Sequence, residues 1–163
     1  MSIRKIDYYV GALLSYLIKK RITPAIFDSS DESKIIVFET NDDKYNLFVK
    51  YSGKPAKEQE NYSRWAINFS MSEMNIINTY KKEDYRNLVV LVCSTENLTK
   101  TEIVVIDIKD ALKCLGDDLI NTNKRISIRK DKGSRYLKCY GTALTDKDAK
   151  LIKRNIDNYF WWQ

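Results

Sequence analysis

Apolar and polar positions change period several times along the chain, and each change marks an element. Val10, Leu13, Leu14, Leu17 and Ile18 recur at the spacing of one helical face. This predicts an amphipathic helix over about 7–21, with Asp7 as a cap and Thr23-Pro24 beyond its end. In SKIIVFETNDDKYNLFVKYSG, two β-rich runs flank the turn-formers Asn41, Asp42 and Asp43, so the stretch reads as a hairpin with Lys50 on its second strand. A turn over 41–44 sets Glu39 opposite Asn46 and Ile35 opposite Lys50. Residues 53–63, GKPAKEQENYS, are polar and aperiodic and read as a loop.

Trp65, Ile67 and Phe69 alternate in RWAINFS, the mark of a half-buried strand. Ser70 followed by Glu73 is a capping-box pattern, and it opens a helix with Met74, Ile77 and Tyr80 along one face. NLVVLVC and TEIVVIDI are continuous apolar runs, as central strands covered on both faces require. A short helix from about Asp110 to Leu115 stops at Gly116. RISIRK and RYLKCY then form a second hairpin around Asp131-Lys132-Gly133-Ser134. Thr145 and Asp148 are predicted to open a last helix with Leu151, Ile152, Ile156 and Tyr159 inward. The order of elements indicates one α/β (α+β) domain over 1–163, a single mixed central sheet flanked by helices.

Composition narrows the function classes. A chain of 163 residues with 44% hydrophobic content suits one core. No apolar run approaches a bilayer span and MSIRKIDYY lacks the apolar centre of a signal peptide, so the expectation is a soluble, cytoplasmic protein with no membrane partner. With no histidine, every mechanism needing an imidazole is excluded. Cys93, Cys114 and Cys139 stand singly, which suits reduced core thiols better than a zinc cluster or a disulfide framework. Five glycines in all leave little material for a phosphate-cradling loop.

Charge is unevenly placed. Residues 121–163 carry eleven Lys and Arg against four Asp, so the rest of the chain sums to −1 within a total of +6. Such an excess fits a polyanionic partner, and a solvated hairpin and helix would show it equally. Arg129, Lys130, Arg135 and Lys138, with Tyr136 interleaved, are the candidate nucleic-acid contacts: the cations neutralise phosphates and the ring stacks on an unpaired base. The terminal Phe160, Trp161 and Trp162 either dock on the core or meet a partner or a second copy of the chain.

Helix 1, the acidic segment DSSDES, a hairpin ending in FVKYSG, the strand RWAINFS and a helix leading to LVVLVC together resemble the PD-(D/E)XK nuclease superfamily over roughly 7–110. The resemblance implies a restriction-endonuclease-like fold. It also implies a centre in which Asp31 or Glu32 holds a divalent metal such as Mg²⁺ and Lys50 helps orient the attacking water. Phosphodiester cleavage needs such a hard cation on carboxylate oxygens. The pattern departs at one point: the acid due two places before Lys50 is Phe48. Glu39 lies four rows away in the inferred register, on the order of 13 Å, and Glu58 and Glu60 are the remaining substitutes.

The resulting expectation is a nucleic-acid-associated protein with a nuclease-like fold and impaired or lost catalysis, of a kind used in bacterial or phage defence, and without a cofactor. Two alternatives stay open. One is an active Mg²⁺-dependent nuclease with a displaced carboxylate, acting on DNA or RNA. The other is a protein-binding immunity, antitoxin or counter-defence factor.

Overall fold

The computed structural model describes residues 2–28, 32–79, 83–116, 118 and 123–154. Helix α1 (Lys5–Lys19) precedes strands β1 (Ala25–Asp28), β2 (Ser33–Glu39), β3 (Lys44–Ser52), β4 (Lys57–Glu58) and β5 (Tyr62–Phe69). Helix α2 (Met71–Thr79), β6 (Arg86–Cys93), β7 (Glu102–Asp107) and α3 (Ile108–Leu115) follow. The chain continues through β8 (Lys124–Asp131), β9 (Tyr136–Gly141), a 3-10 turn (Asp146–Asp148) and β10 (Lys150–Lys153). No helix among the described residues is long and apolar enough to cross a membrane.

The strands build two five-stranded sheets, ordered β1-β2-β3-β6-β7 and β10-β9-β8-β5-β4, and not the single central sheet expected. The reason lies in the side-chain patterns. On β6 both alternating sets are apolar, and on β3 one set is, with Phe48 between the buried polar Asn46 and Lys50 on the other. Tyr45, Leu47, Val49, Leu88, Val90 and Val92 pack on Val10, Leu13 and Leu17 of α1. Phe48, Val89, Leu91 and Cys93 face the other way, onto Trp65, Ile67 and Phe69 of β5 and onto α2 and α3. The first sheet is therefore an inner layer. Strand β5 alternates apolar with polar residues, which suits an outer sheet with one wet face, and it pairs with β8 instead of joining β3 or β6. A hydrogen bond from Trp65 Nε1 to the Ser94 carbonyl, 2.7 Å, ties the layers together.

Strand β3 lies parallel to β6, and the crossover between them carries β5 and α2. Its partner on the other side is β2, in a register that pairs Glu39 with Lys44, Ile35 with Phe48 and Ser33 with Lys50. The inferred register was two residues off. The turn is tighter than expected, because the Thr40 hydroxyl accepts from the Asp43 amide at 3.1 Å and the Thr40 amide donates to the Asp43 carbonyl at 2.8 Å. Glu39 is consequently farther from Lys50 than expected.

Other expectations shift at their edges. Asp7 caps α1 from its third position and not as the N-cap residue, which is Arg4: its carboxylate accepts from the Arg4 amide at 3.1 Å in a capping box. Strand β7 is a sheet edge and not a central strand; Val104, Val105 and Ile106 are apolar because both of its faces are covered. The predicted last helix is a 3-10 turn followed by β10, in which Leu151 points to solvent and Ile152 packs on the core. That alternation has period two, and pairing with β9 satisfies backbone groups a four-residue helix would leave open. Ile156, Tyr159, Phe160, Trp161 and Trp162 lie outside the described residues.

Helix α1 is anchored to β2 by Lys34, a buried side chain whose Nζ stands 2.9 Å from Asp7 Oδ1. The hydrogen bond from Lys34, with a second from Arg4, holds the Asp7 carboxyl down to about 2. An unfolded Asp titrates near 3.9, so ionised Asp7 stabilises the fold above about pH 4 and the contribution disappears as pH falls through the folded value. Acid-unfolding curves of Asp7→Asn should accordingly be flatter than wild type between about pH 4 and 2, with lower stability at neutral pH. Superimposable curves would contradict the anchoring role.

Candidate functional site

Lys50 occupies the end of β3 where the inner sheet meets β5 and α2. Alternation along the strand turns it to the same side as Phe48, away from α1, so its four-carbon stem enters the core between the sheets. The side chain is only 4% exposed. Its ammonium donates to the Asn68 carbonyl at 2.6 Å and to Glu73 Oε1 at 2.8 Å. It also lies 5.0 Å from the centre of the Phe69 ring. Glu32 Oε2 approaches to 4.0 Å from the solvent side, on a side chain 76% exposed. Two carboxylates thus converge on one buried cation.

Glu73 is held by the helix it begins. Its Oε1 accepts from the Ser70 amide at 3.1 Å, and its own amide donates to Ser70 Oγ at 3.2 Å, the reciprocal capping box expected from the spacing. The same oxygen therefore serves the helix terminus and Lys50. The other oxygen, Oε2, is buried and has no hydrogen-bond partner. A buried carboxylate oxygen without a donor costs free energy unless something else satisfies it. Phe48, two positions before Lys50, stacks on Phe69 with ring centres 6.2 Å apart.

Beside this centre opens a cleft of about 580 Å³. Glu32 stands on one side, and Asn68, Ser70, Lys124, Arg125 and Thr142 complete the lining. The register across β5 and β8 explains the assembly: Phe69 pairs with Lys124 and Asn68 with Arg125. Glycine is required at 141, since a Cβ there would collide with the carbonyl oxygens of Arg125 and Cys114. The cleft has an acidic and a basic end.

The other expected residues are dispersed. Asp31 lies outside the described residues. Glu58 and Glu60 line a separate cleft with Lys130 and Lys132 and are not partners of Lys50. On the second hairpin, Arg129 pairs with Asp131 at 2.8 Å and Asp146 at 3.4 Å, and its guanidinium lies over the Tyr62 ring at 4.2 Å. Lys138 reaches the same two aspartates at 3.6 and 3.9 Å. Lys130 pairs with Glu102 at 2.8 Å. Arg135 and Tyr136 are exposed and line a further cleft of about 640 Å³ with Lys153 and Arg154.

Glu73 carried no sign in the sequence of being the partner of Lys50. Its spacing from Ser70 explained it fully as a cap, and no local pattern ties it to a lysine 23 positions earlier. The usable signal was the one left over: a lysine on a strand with an apolar neighbour set needs a counter-charge, and a carboxylate opening the next helix can supply it.

Among the described residues no group of three or more His, Cys, Asp or Glu is assembled; at Lys50 the available carboxylates are Glu73 and Glu32. The donor set nonetheless suits magnesium, which keeps several waters and takes one or two carboxylates together with substrate phosphates. The unpartnered Glu73 Oε2 is the oxygen such an ion would occupy. The chain matches no protein-family model, no curated protein and no solved structure at a significant level.

Breaking a buried pair from one side strands the other charge, at a cost of about 3–5 kcal/mol. Urea unfolding should show that loss for Lys50→Met and for Glu73→Leu separately, with most of it recovered in the double variant. Additive losses would mean that the two charges do not depend on each other.

Proposed function

We propose that this chain is a nucleic-acid-associated protein of nuclease-like architecture whose Lys50 centre hydrolyses phosphodiesters with the help of a divalent metal, Glu73 acting as the displaced carboxylate. The observation that carries the proposal is the buried Lys50–Glu73 pair, in which Glu73 Oε2 has no hydrogen-bond partner and the Lys50 ammonium is also approached by Glu32 at 4.0 Å. The succession helix, hairpin, strand, helix, parallel strand, formed by α1, β2–β3, β5, α2 and β6, adds support, although β5 belongs to the outer sheet.

Glu73 Oε2 and the Glu32 carboxylate are the groups that would hold Mg²⁺ or Mn²⁺. A metal so held supplies Lewis-acid polarisation of the phosphoryl group and a more acidic bound water. Lys50 contributes a fixed positive charge close to where negative charge accumulates on the phosphoryl oxygens, and its burial makes that charge more effective than it would be in water. Phe48 and Phe69 keep water from the inner side of the ammonium. The Asn68 carbonyl and Glu73 Oε1 hold it in place, so no reorganisation is needed as charge develops.

A second reading, retained scaffold with lost catalysis, is favoured by the aromatic residue at 48 and by the engagement of Lys50 in the core. Cleavage assays separate the two. Purified protein with Mg²⁺ or Mn²⁺ should cut DNA or RNA, and Glu73→Gln, Glu32→Gln and Lys50→Ala should each lower the rate by about 100-fold or more. Glu32 is exposed, so its variant tests chemistry without a folding penalty. Intact substrate with either metal, or full activity in Glu73→Gln and Glu32→Gln, would overturn the hydrolytic reading.

A further inference from the structure

We infer that the basic end of the cleft, formed by Lys124 and Arg125, is a phosphate-binding subsite for a nucleic-acid strand. As the place where substrate is held, it rests on the Lys50 centre being the reacting end.

Lys124 is the unusual group. Its side chain is 1% exposed, and it is one of the largest fully buried side chains. An ammonium withdrawn this far from water needs an anion, yet the carboxylate paired with it, Asp118 Oδ1 at 3.2 Å, belongs to a side chain 61% exposed. The ammonium packs closely against Gly116, at φ +80°, where a Cβ would stand 3.2 Å from Lys124 Nζ. The cation is held in the wall of the cleft, its paired carboxylate lying on the solvent side.

Arg125 follows it, exposed and with no ion pair among the described residues, its amide held by Thr142 Oγ1 at 2.8 Å. The two neighbours offer different donors: an ammonium acts as a point charge, and a guanidinium can grip two phosphate oxygens. Strand pairing places them opposite Phe69 and Asn68, the residues that touch the Lys50 ammonium. A strand phosphate on Lys124 and Arg125 therefore lies one short cleft away from Glu32 and Lys50. The hairpin cations differ, because Arg129, Lys130 and Lys138 already face Asp131, Asp146 or Glu102. Charge balance sets Arg125 apart from these three; Arg135, exposed and with no ion pair among the described residues, is the hairpin cation against which the cleft must be tested.

Backbone-amide NMR titrations with short single-stranded DNA and RNA of one sequence, in EDTA, test the subsite without any metal-dependent step. Shifts should concentrate at Asn123–Arg125 and Gly141–Thr142, and binding should weaken as salt rises. Arg125→Ala and Lys124→Met should each weaken binding by about tenfold or more, while Arg135→Ala stays within about twofold. The tighter of the two oligonucleotides identifies the kind of strand. If Lys124→Met fails to fold, the exposed Arg125→Ala decides alone. Unchanged binding in Arg125→Ala, no binding, or shifts confined to the Arg135 and Tyr136 cleft would overturn the inference. Binding here by a protein that cleaves nothing with Mg²⁺ or Mn²⁺ would uphold the subsite and remove the hydrolytic reading. Cleavage indifferent to both cleft variants would do the reverse.

Discussion

An ammonium taken out of water must find an anion within reach, and the Lys50 ammonium finds Glu73 at 2.8 Å, at the junction of β3, β5 and α2. Three elements depend on the pairing. The stem of Lys50 fills space between the sheets, its charge fixes the first turn of α2 through the capping carboxylate, and its second bond, to the Asn68 carbonyl, holds the end of β5. Burying a charge pair is at best weakly stabilising compared with apolar residues of the same size. The pair stands where hydrophobic packing would serve as well, and one of its carboxylate oxygens is left without a hydrogen-bond donor.

The layering makes such a site feasible. Because the inner sheet is covered by α1 on one face and by β5, α2 and α3 on the other, side chains on that second face of β3 are shielded except at the strand end. Lys50 is at that end. One more alternation along the strand would have sent it toward α1 and Val49 into the cleft. The outer sheet then supplies what the inner one lacks, a wet face and a row of cations, and distributes them unequally. Along the hairpin, Asp131, Asp146 and Glu102 pair with Arg129, Lys130 and Lys138; near the start of β8, Lys124 pairs with the exposed Asp118 and Arg125 has no ion pair among the described residues.

Elements driven by local pattern were legible in the sequence. The spacing of Val10, Leu13 and Leu17, the Ser70–Glu73 box, the unbroken apolar run of β6 and the Gly133 turn between β8 and β9 all correspond to formed elements. What depended on partners was less so. Whether β5 joins the inner sheet or begins another depends on which backbone edge is open, and that is absent from local alternation. The hairpin register was decided by Thr40 closing the turn with its side chain, a two-residue difference that composition does not distinguish. Leu151 and Ile152 fit a helical face on spacing alone, and the open edge of β9 made them a strand. The proximity of Glu32 to Lys50 followed the resemblance, whereas the pairing of Glu73 with Lys50 was hidden by the cap it also forms.

The most direct test of a metal centre at Lys50 is paramagnetic broadening by Mn²⁺, read in amide spectra without substrate. Wild-type protein should lose signals from Ser33, Lys50, Ser70 and Glu73 at low Mn²⁺, and Glu73→Gln should keep them. Broadening elsewhere, or the same broadening in the variant, would contradict the assignment of Glu73 as the carboxylate that completes the centre.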